Sequence, residues 1–430
     1  MPPLDLPHAA AGAVARLLPP LDGPRDGRVI VRDGQRTVVG VHPDAVITAD
    51  GGKALDRLHR LGSSDADRGW WAGFLSYDIG RTVERVRPRA GGFYAEWPGV
   101  PDVALGRFDA RLLIDPGASP SVTVVGDGEG RGVLDEVAAR LVDGDTPATS
   151  GAPLLSGQPT TSLDRPAFES AVRRIIGLLE AGECYQVNLT RRLTWPLAPD
   201  TARLFAALSS GNPAPHTALV DIAGTGVVSA SPERFLAWNG RSVETRPIKG
   251  TGRAASALTA STKDRAENVM IVDLARNDLG RVCVPGSIHV PQLCGLEAHP
   301  GLFHLVSTVR GRRRDDAGLG DLLTATMPPA SVTGAPKPRV LQAIEDLEPV
   351  RRGVYCGAVG WIDTARDRGD LAVAIRTFTV HDDSTHLGVG AGIVADSSPT
   401  REWEETELKV ARVRRSVGED VSVLTGAGAA

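Results

Sequence analysis

Between residues 28 and 125 the chain is divided into short β-type runs, each closed by a turn signal: Arg28-Val29-Ile30-Val31, Arg36-Thr37-Val38-Val39, Ala110-Arg111-Leu112-Leu113-Ile114 and Ser121-Val122-Thr123-Val124-Val125. β-branched side chains have stiff χ1 torsions that cost little on a pleated surface. Runs this short can pair their backbone groups only with one another, so they predict an antiparallel sheet within the first 150 residues. The segment Gly126-Asp127-Gly128-Glu129-Gly130 lacks the Lys-Ser/Thr of a phosphate-binding loop and the spacing of a dinucleotide fingerprint, and it reads as a hairpin turn.

The character changes near residue 160. The stretch 145–158 is dense in Pro, Ser, Thr and Gly and reads as a connection, which sets off residues 1–150 as a β-rich N-terminal part and 160–418 as the part carrying the chemistry. Residues 419–430 read as a frayed tail. Asp164 can cap a helix with Phe168, Val172, Ile175, Ile176 and Leu179 on one stripe and Gly182 at its end. Tyr185, Val187 and Leu189 then alternate with Gln186, Asn188 and Thr190, a strand with one apolar and one polar face.

The whole chain of 430 residues is 42% hydrophobic and 23% charged, enough for a large core. A formal net charge of -4 argues against nucleic acid or an anionic membrane as main partner, and the run Arg312-Arg313-Arg314 reads as a solvated loop. Cys184, Cys283, Cys294 and Cys356 show neither CxxC spacing nor zinc-type partners, which suits a reducing compartment. No apolar stretch reaches membrane-spanning length and the first residues lack a secretory pattern, so a soluble cytoplasmic protein is expected.

Chemistry first shows at Lys249, in Pro247-Ile248-Lys249-Gly250-Thr251. The flanking proline and glycine fix the backbone and allow close approach of a ligand; the amine becomes a nucleophile if burial or a nearby cation lowers its pKa. Taken alone, the segment reads as that of a surface lysine in a loop. Downstream, Asp264 and Glu267 stand three apart on a helix running through Val269, Met270, Val272 and Leu274. Glu402, Glu405 and Lys409 lie at i, i+3 and i+7 on another, opposite a stripe of Trp403, Thr406, Val410 and Val413. Each helix alone presents an ordinary solvated charged face. If the two face each other, four carboxylates meet, and a hard oxygen-seeking cation, Mg2+, makes that arrangement tolerable. Gly388-Val389-Gly390-Ala391-Gly392 offers unobstructed N–H groups for a carboxylate, and Arg376, in a run that reads as a buried strand, calls for an anionic partner. Tyr355, His304 and Thr333 add neutral donors.

From Gly73-Phe74-Leu75-Ser76-Tyr77-Asp78 to Val413 these segments resemble the chorismate-utilising enzymes. The likeness is densest after residue 180: Glu183-Cys184-Tyr185-Gln186-Val187-Asn188-Leu189, Ser231-Pro232-Glu233-Arg234-Phe235, Asp273-Leu274-Ala275-Arg276-Asn277-Asp278, His304-Leu305-Val306-Ser307-Thr308, Thr333-Gly334-Ala335-Pro336-Lys337 and Gly390-Ala391-Gly392-Ile393-Val394. The resemblance implies an α+β sandwich of two large, mainly antiparallel sheets with helices outside and an active site in a cleft. Members that add water to chorismate carry a lysine base at the position matching Gln186, so glutamine there disfavours water activation. Anthranilate synthases usually carry alanine at the position matching Lys249 and aminodeoxychorismate synthases often lysine, which favours amination at C4.

The same resemblance implies that Lys249 attacks C2 of the ring as the C4 hydroxyl departs, with Glu233 as general acid and later base, and that ammonia then displaces the lysine. It implies Arg376 and Tyr355 at the enolpyruvyl carboxylate, Gly390, Ala391, Gly392 and Lys409 near the ring carboxylate, and His304, Thr333 and Gln186 around the substrate. Glu267 and Glu405 match direct Mg2+ ligands, with Glu402 and Asp264 assisting; Asp264 stands where other members often have glutamate. No cysteine sits in a glycine-flanked nucleophile elbow, so ammonia is expected from a separate glutaminase (glutamine amidotransferase) subunit, with the product leading toward 4-aminobenzoate and folate. A Leu-Leu-Glu-Ser segment of the kind tied to tryptophan feedback is absent from the N-terminal region. The rival expectations are an anthranilate synthase large subunit and a non-catalytic chorismate-binding regulator.

Overall fold

The computed structural model describes residues 7–21, 23, 26–89, 99–116, 119–145, 147, 154–252, 254–299 and 302–418; the expected tail at 419–430 lies outside them. Two large antiparallel sheets pack face to face. The first runs in the order Gly334–Ala335, Gln186–Trp195, Ser384–Ile393, Thr377–His381, Thr225–Ser231, His216–Ile222, Arg28–Asp33, Arg36–Val41, Arg111–Asp115, Ser121–Val125. The second runs Ile248–Gly252, Leu302–Arg312, Ser242–Arg246, Arg234–Asn239, Arg368–Val373, Ala358–Asp363, Trp70–Leu75, Val103–Arg107, Ala45–Ala49. Strands from both sides of the 145–158 connection enter each sheet, and the expected α+β sandwich is what the chain forms.

Strand alternation builds the layers. Val29 and Val31 face the other sheet and pack with Trp70, Phe74, Phe108, Val220, Val227 and Trp361, whereas Ile30 points outward beneath the helices Pro7–Leu17, Arg131–Asp143 and Thr201–Gly211. Helices Gly51–Arg60, Thr262–Gly280 and Leu319–Thr326 cover the outer face of the second sheet. The helix read from Asp164 runs Arg165–Glu180; the Asp164 carboxylate accepts from the Ala167 N–H at 2.9 Å, and Gly182 follows with φ +72°.

Three local expectations are corrected. Residues 126–130 lead from the strand Ser121–Val125 into the helix Arg131–Asp143 rather than into a hairpin, because Leu134, Val137 and Leu141 form a buried stripe there. Tyr185 is 74% exposed, since the strand begins only at Gln186 and its face is not shared. The arginine run is no solvated loop: Arg312 ends a strand, and Arg313 is buried and pairs with Asp367.

Candidate active site

Strands toward one end of each sheet and two helices enclose a cavity of about 760 Å3. Asn188, Thr190 and the glycines at 388, 390 and 392 come from the first sheet, Lys249 and His304 from the second, and Asp264, Glu267, Glu402, Glu405 and Lys409 from the helices Thr262–Gly280 and Pro399–Ser416. A larger polar hollow of about 1100 Å3 lies elsewhere, lined by Arg81, Arg85, Asp102 and Arg351, and holds none of the residues expected to carry chemistry. The smaller cavity, which gathers nucleophile, acid and paired carboxylates, is therefore the candidate site.

Two crossovers between the sheets place its polar groups. The chain leaves the first sheet after Ser231, turns at Pro232-Glu233 and enters the second at Arg234; it returns between Val373 and Thr377, through Arg376. The crossovers are tied together by Val373 N–H to Glu233 O at 3.0 Å and Ala230 N–H to Arg376 O at 3.1 Å. Arg376 thus lies in a break between strands, with φ +52°, and not inside a buried strand as its sequence context suggests.

Glu233 is 5% exposed, and burial pushes its carboxyl up to about 7, against hydrogen bonds from Ser331 and the Ile248 N–H and the charge of Lys249. Lys249 Nζ donates to Ser331 O at 3.3 Å; burial lowers its pKa, opposed by Glu267 and Glu233. An amine poised to lose its proton and a carboxyl poised to keep one share the same wall. Gly250, at φ +81°, makes an irregularity in the strand Ile248–Gly252 directly after Lys249, a conformation that an L side chain would strain. His304 bonds Thr251 Oγ1 at 2.8 Å, and burial, then the charge of Arg376, holds it neutral with a pKa of about 4. The Tyr355 ring lies against Gly388, where an added Cβ would come within 2.2 Å of it.

Other expected residues stand further back. Gly390 and Gly392 line the cavity, but the Ala391 methyl packs into the apolar core on the opposite face. Thr333 is fully buried and its hydroxyl donates to Pro329 O and Ala330 O, each at 3.2 Å. Gln186 is 0% exposed, its amide beside Gly392 with neither polar atom partnered among the described residues. Lys409 does reach the site, bonding Gly390 O at 2.9 Å and Glu405 at 2.7 Å.

The acidic residues line one region of the cavity. Burial raises the pKa of Glu267 and of Glu402, and the charge of Glu405 adds to both, while Lys263 approaches Glu267 at 3.8 Å. Among the described residues no group of three or more His, Cys, Asp or Glu is gathered tightly enough to be a ready metal site. The donor set, all carboxylate oxygens at mutually repelling positions, nevertheless has the chemistry of a hard divalent cation.

Sequence reasoning missed the support behind this wall. Arg352 pairs with Glu348 at 2.6 Å, both nearly free of solvent, and donates to Val332 O and Asn188 O, while Glu348 accepts from Thr190 N–H at 2.8 Å. Lys337 bonds Asp278 at 2.7 Å beneath the same segment. Ser331, the partner of both Lys249 and Glu233, was missed as well; no local periodicity marks it.

A family model described as chorismate binding enzyme matches residues 27–415. The chain belongs to the chorismate-binding enzyme family. Aminodeoxychorismate synthase component 1 of Klebsiella aerogenes is 36% identical over 353 residues, covering 79% of this chain and 75% of that protein. Anthranilate synthase component 1 1 of Haloarcula marismortui is 35% identical over 361 residues, covering 78% and 73%. Among solved structures, anthranilate synthase component I from Streptococcus pneumoniae superposes with a TM-score of 0.73 at 25% identity, over 93% of this chain and 94% of that one. This family member is thus an enzyme of chorismate chemistry with the sandwich of its relatives. Among the described residues no helix is long and apolar enough to cross a membrane.

Proposed function

We propose that this chain is an aminodeoxychorismate synthase component that turns chorismate and ammonia into 4-amino-4-deoxychorismate. The observation that carries the reading is Lys249: its amine lies in the cavity, on the same anchor as a carboxyl held near neutrality. Overall identity does not separate amination at C4 from the anthranilate reaction, since relatives of both kinds are equally similar. The lysine supports amination at C4, because a nucleophile on the protein has a use when attack at C2 must be temporary.

In this mechanism the Lys249 amine bonds to C2, the ring double bonds shift, and the C4 hydroxyl leaves as water with the proton of Glu233. Hydroxide is a poor leaving group, and the covalent step divides one hard displacement into two easier ones. Ammonia then bonds to C4, the double bonds shift back, and the C2–nitrogen bond breaks to release Lys249. Glu233, now a carboxylate, takes a proton from the incoming ammonia, which restores the starting state. Arg376 and Tyr355 hold the enolpyruvyl carboxylate; the N–H groups around Gly390 and Gly392, with Lys409, serve the ring carboxylate. Glu267 and Glu405, assisted by Glu402 and Asp264, would hold Mg2+, which when bound supplies positive charge to neutralise the ring carboxylate. A glutaminase subunit supplies ammonia in the cytoplasm, and the product leads toward 4-aminobenzoate and folate.

The test is incubation of the purified chain with chorismate, Mg2+ and an ammonium salt at alkaline pH, products being resolved by mass and absorbance. Aminodeoxychorismate without pyruvate is expected. Anthranilate with stoichiometric pyruvate would transfer the chain to the rival synthase, and absence of turnover with ammonium salt or a glutaminase would leave a binding role.

A further inference from the structure

Arg412, a charged side chain of the cavity, takes part in none of these steps. Arg412 lies three residues beyond Lys409 on the helix Pro399–Ser416, so it extends the inward stripe of Glu402, Glu405 and Lys409 by another turn and lines the cavity. It sits close enough to Arg376 and His304 for its charge to lower the proton affinity of both. Carboxylates act on Lys249, but none acts on Arg376, which among the described residues has no ion-pair partner. Arg376 and Arg412 both line the cavity, near enough for the charge of one to act on the other, and an anion held by Arg376 is within the field of both. The planar fork of arginine suits a carboxylate there.

We propose that Arg412 is a second carboxylate-binding residue opposite Arg376, and that the arginine pair makes the site select a ring acid bearing a second carboxylate over a singly charged one. This rests on chorismate being the substrate. The charges of the pair add to the burial that holds His304 neutral, so that it can bond the substrate without adding a third positive charge.

The test measures binding of chorismate, and of a ring monocarboxylate lacking the enolpyruvyl acid, to the full chain and its Arg412→Gln and Arg412→Lys variants, together with KM and kcat. Arg412→Gln is expected to weaken chorismate about 10- to 100-fold with kcat little changed and the monocarboxylate unaffected; Arg412→Lys, which keeps the charge, recovers part of the loss. Unchanged chorismate affinity overturns the inference. So does an equal loss for both ligands with lysine no better than glutamine, which marks a packing role. If Arg412→Gln does not fold, Arg412→Lys decides alone, since loss of the fork still weakens chorismate selectively. A wild-type chain that binds no chorismate overturns the substrate reading and this inference together, whereas anthranilate as product overturns amination at C4 and leaves the Arg412 result standing.

Discussion

Lys249 and Glu233 meet at one residue: Lys249 Nζ donates to the carbonyl of Ser331, and the hydroxyl of Ser331 bonds the Glu233 carboxyl. Burial moves their proton affinities toward each other, the amine down and the carboxyl up to about 7. Both shifts favour a neutral amine beside a protonated acid, the combination that nucleophilic attack with protonation of a leaving hydroxyl requires.

Lys249→Ala is expected to abolish the covalent adduct detected by intact-protein mass spectrometry after rapid quenching with chorismate. Turnover with ammonium salt falls with it, to whatever direct attack by ammonia supplies. A wild-type rate in this variant would sink the nucleophile assignment.

Glu233→Gln separates catalysis from stability. Between its ordinary value of 4.5 and about 7 the folded chain keeps a proton that the unfolded chain has released. Stability consequently falls as pH rises through that window. With glutamine the penalty is gone: thermal transitions of variant and wild type run parallel below about pH 4.5, and above about pH 7 the variant gains about 3 kcal/mol relative to that baseline. Its kcat falls about 10²- to 10⁴-fold. A variant that gains nothing between pH 4 and pH 8 would contradict the burial account.

Glu267→Gln removes a charge from the acidic wall between the two helices. The expected result is loss of the response to added Mg2+ along with activity, read from rate against Mg2+ concentration at fixed chorismate. An unaltered Mg2+ dependence would take Glu267 out of the ligand set.

Arg352→Ala leaves the Glu348 carboxylate buried without its partner, at a cost of about 3–5 kcal/mol in urea denaturation. The double variant with Glu348→Ala should cost less than the sum of the single changes, because the unpaired charge is gone. Additive losses would mean that the pair is not a unit. Since Arg352 also holds the carbonyls of Val332 and Asn188, its loss should raise KM for chorismate as well.

Much of the site was legible in the chain because helices and strands repeat over short distances. Asp264 with Glu267, and Glu402 with Glu405 and Lys409, share faces by spacing alone, and the structure brings both faces to one cavity. Asn188 and Thr190 were readable as one strand face, though not as a cavity wall, because alternation does not say what covers a face. Ser331 and Arg352 left no such trace: each acts through a backbone or side-chain contact with a residue distant in sequence.

Local pattern thus determined the elements, the acidic stripes and the exposed backbone of the glycine run, since these depend only on neighbours within a turn or two. The tertiary structure decided which of them meet. The crossovers at Glu233 and Arg376 link the two facing sheets, and closure of the sandwich buries Glu233 and leaves Lys249 half-buried at the cavity wall. Proton affinity follows burial and surrounding charge, which arise only when residues far apart in sequence are packed together.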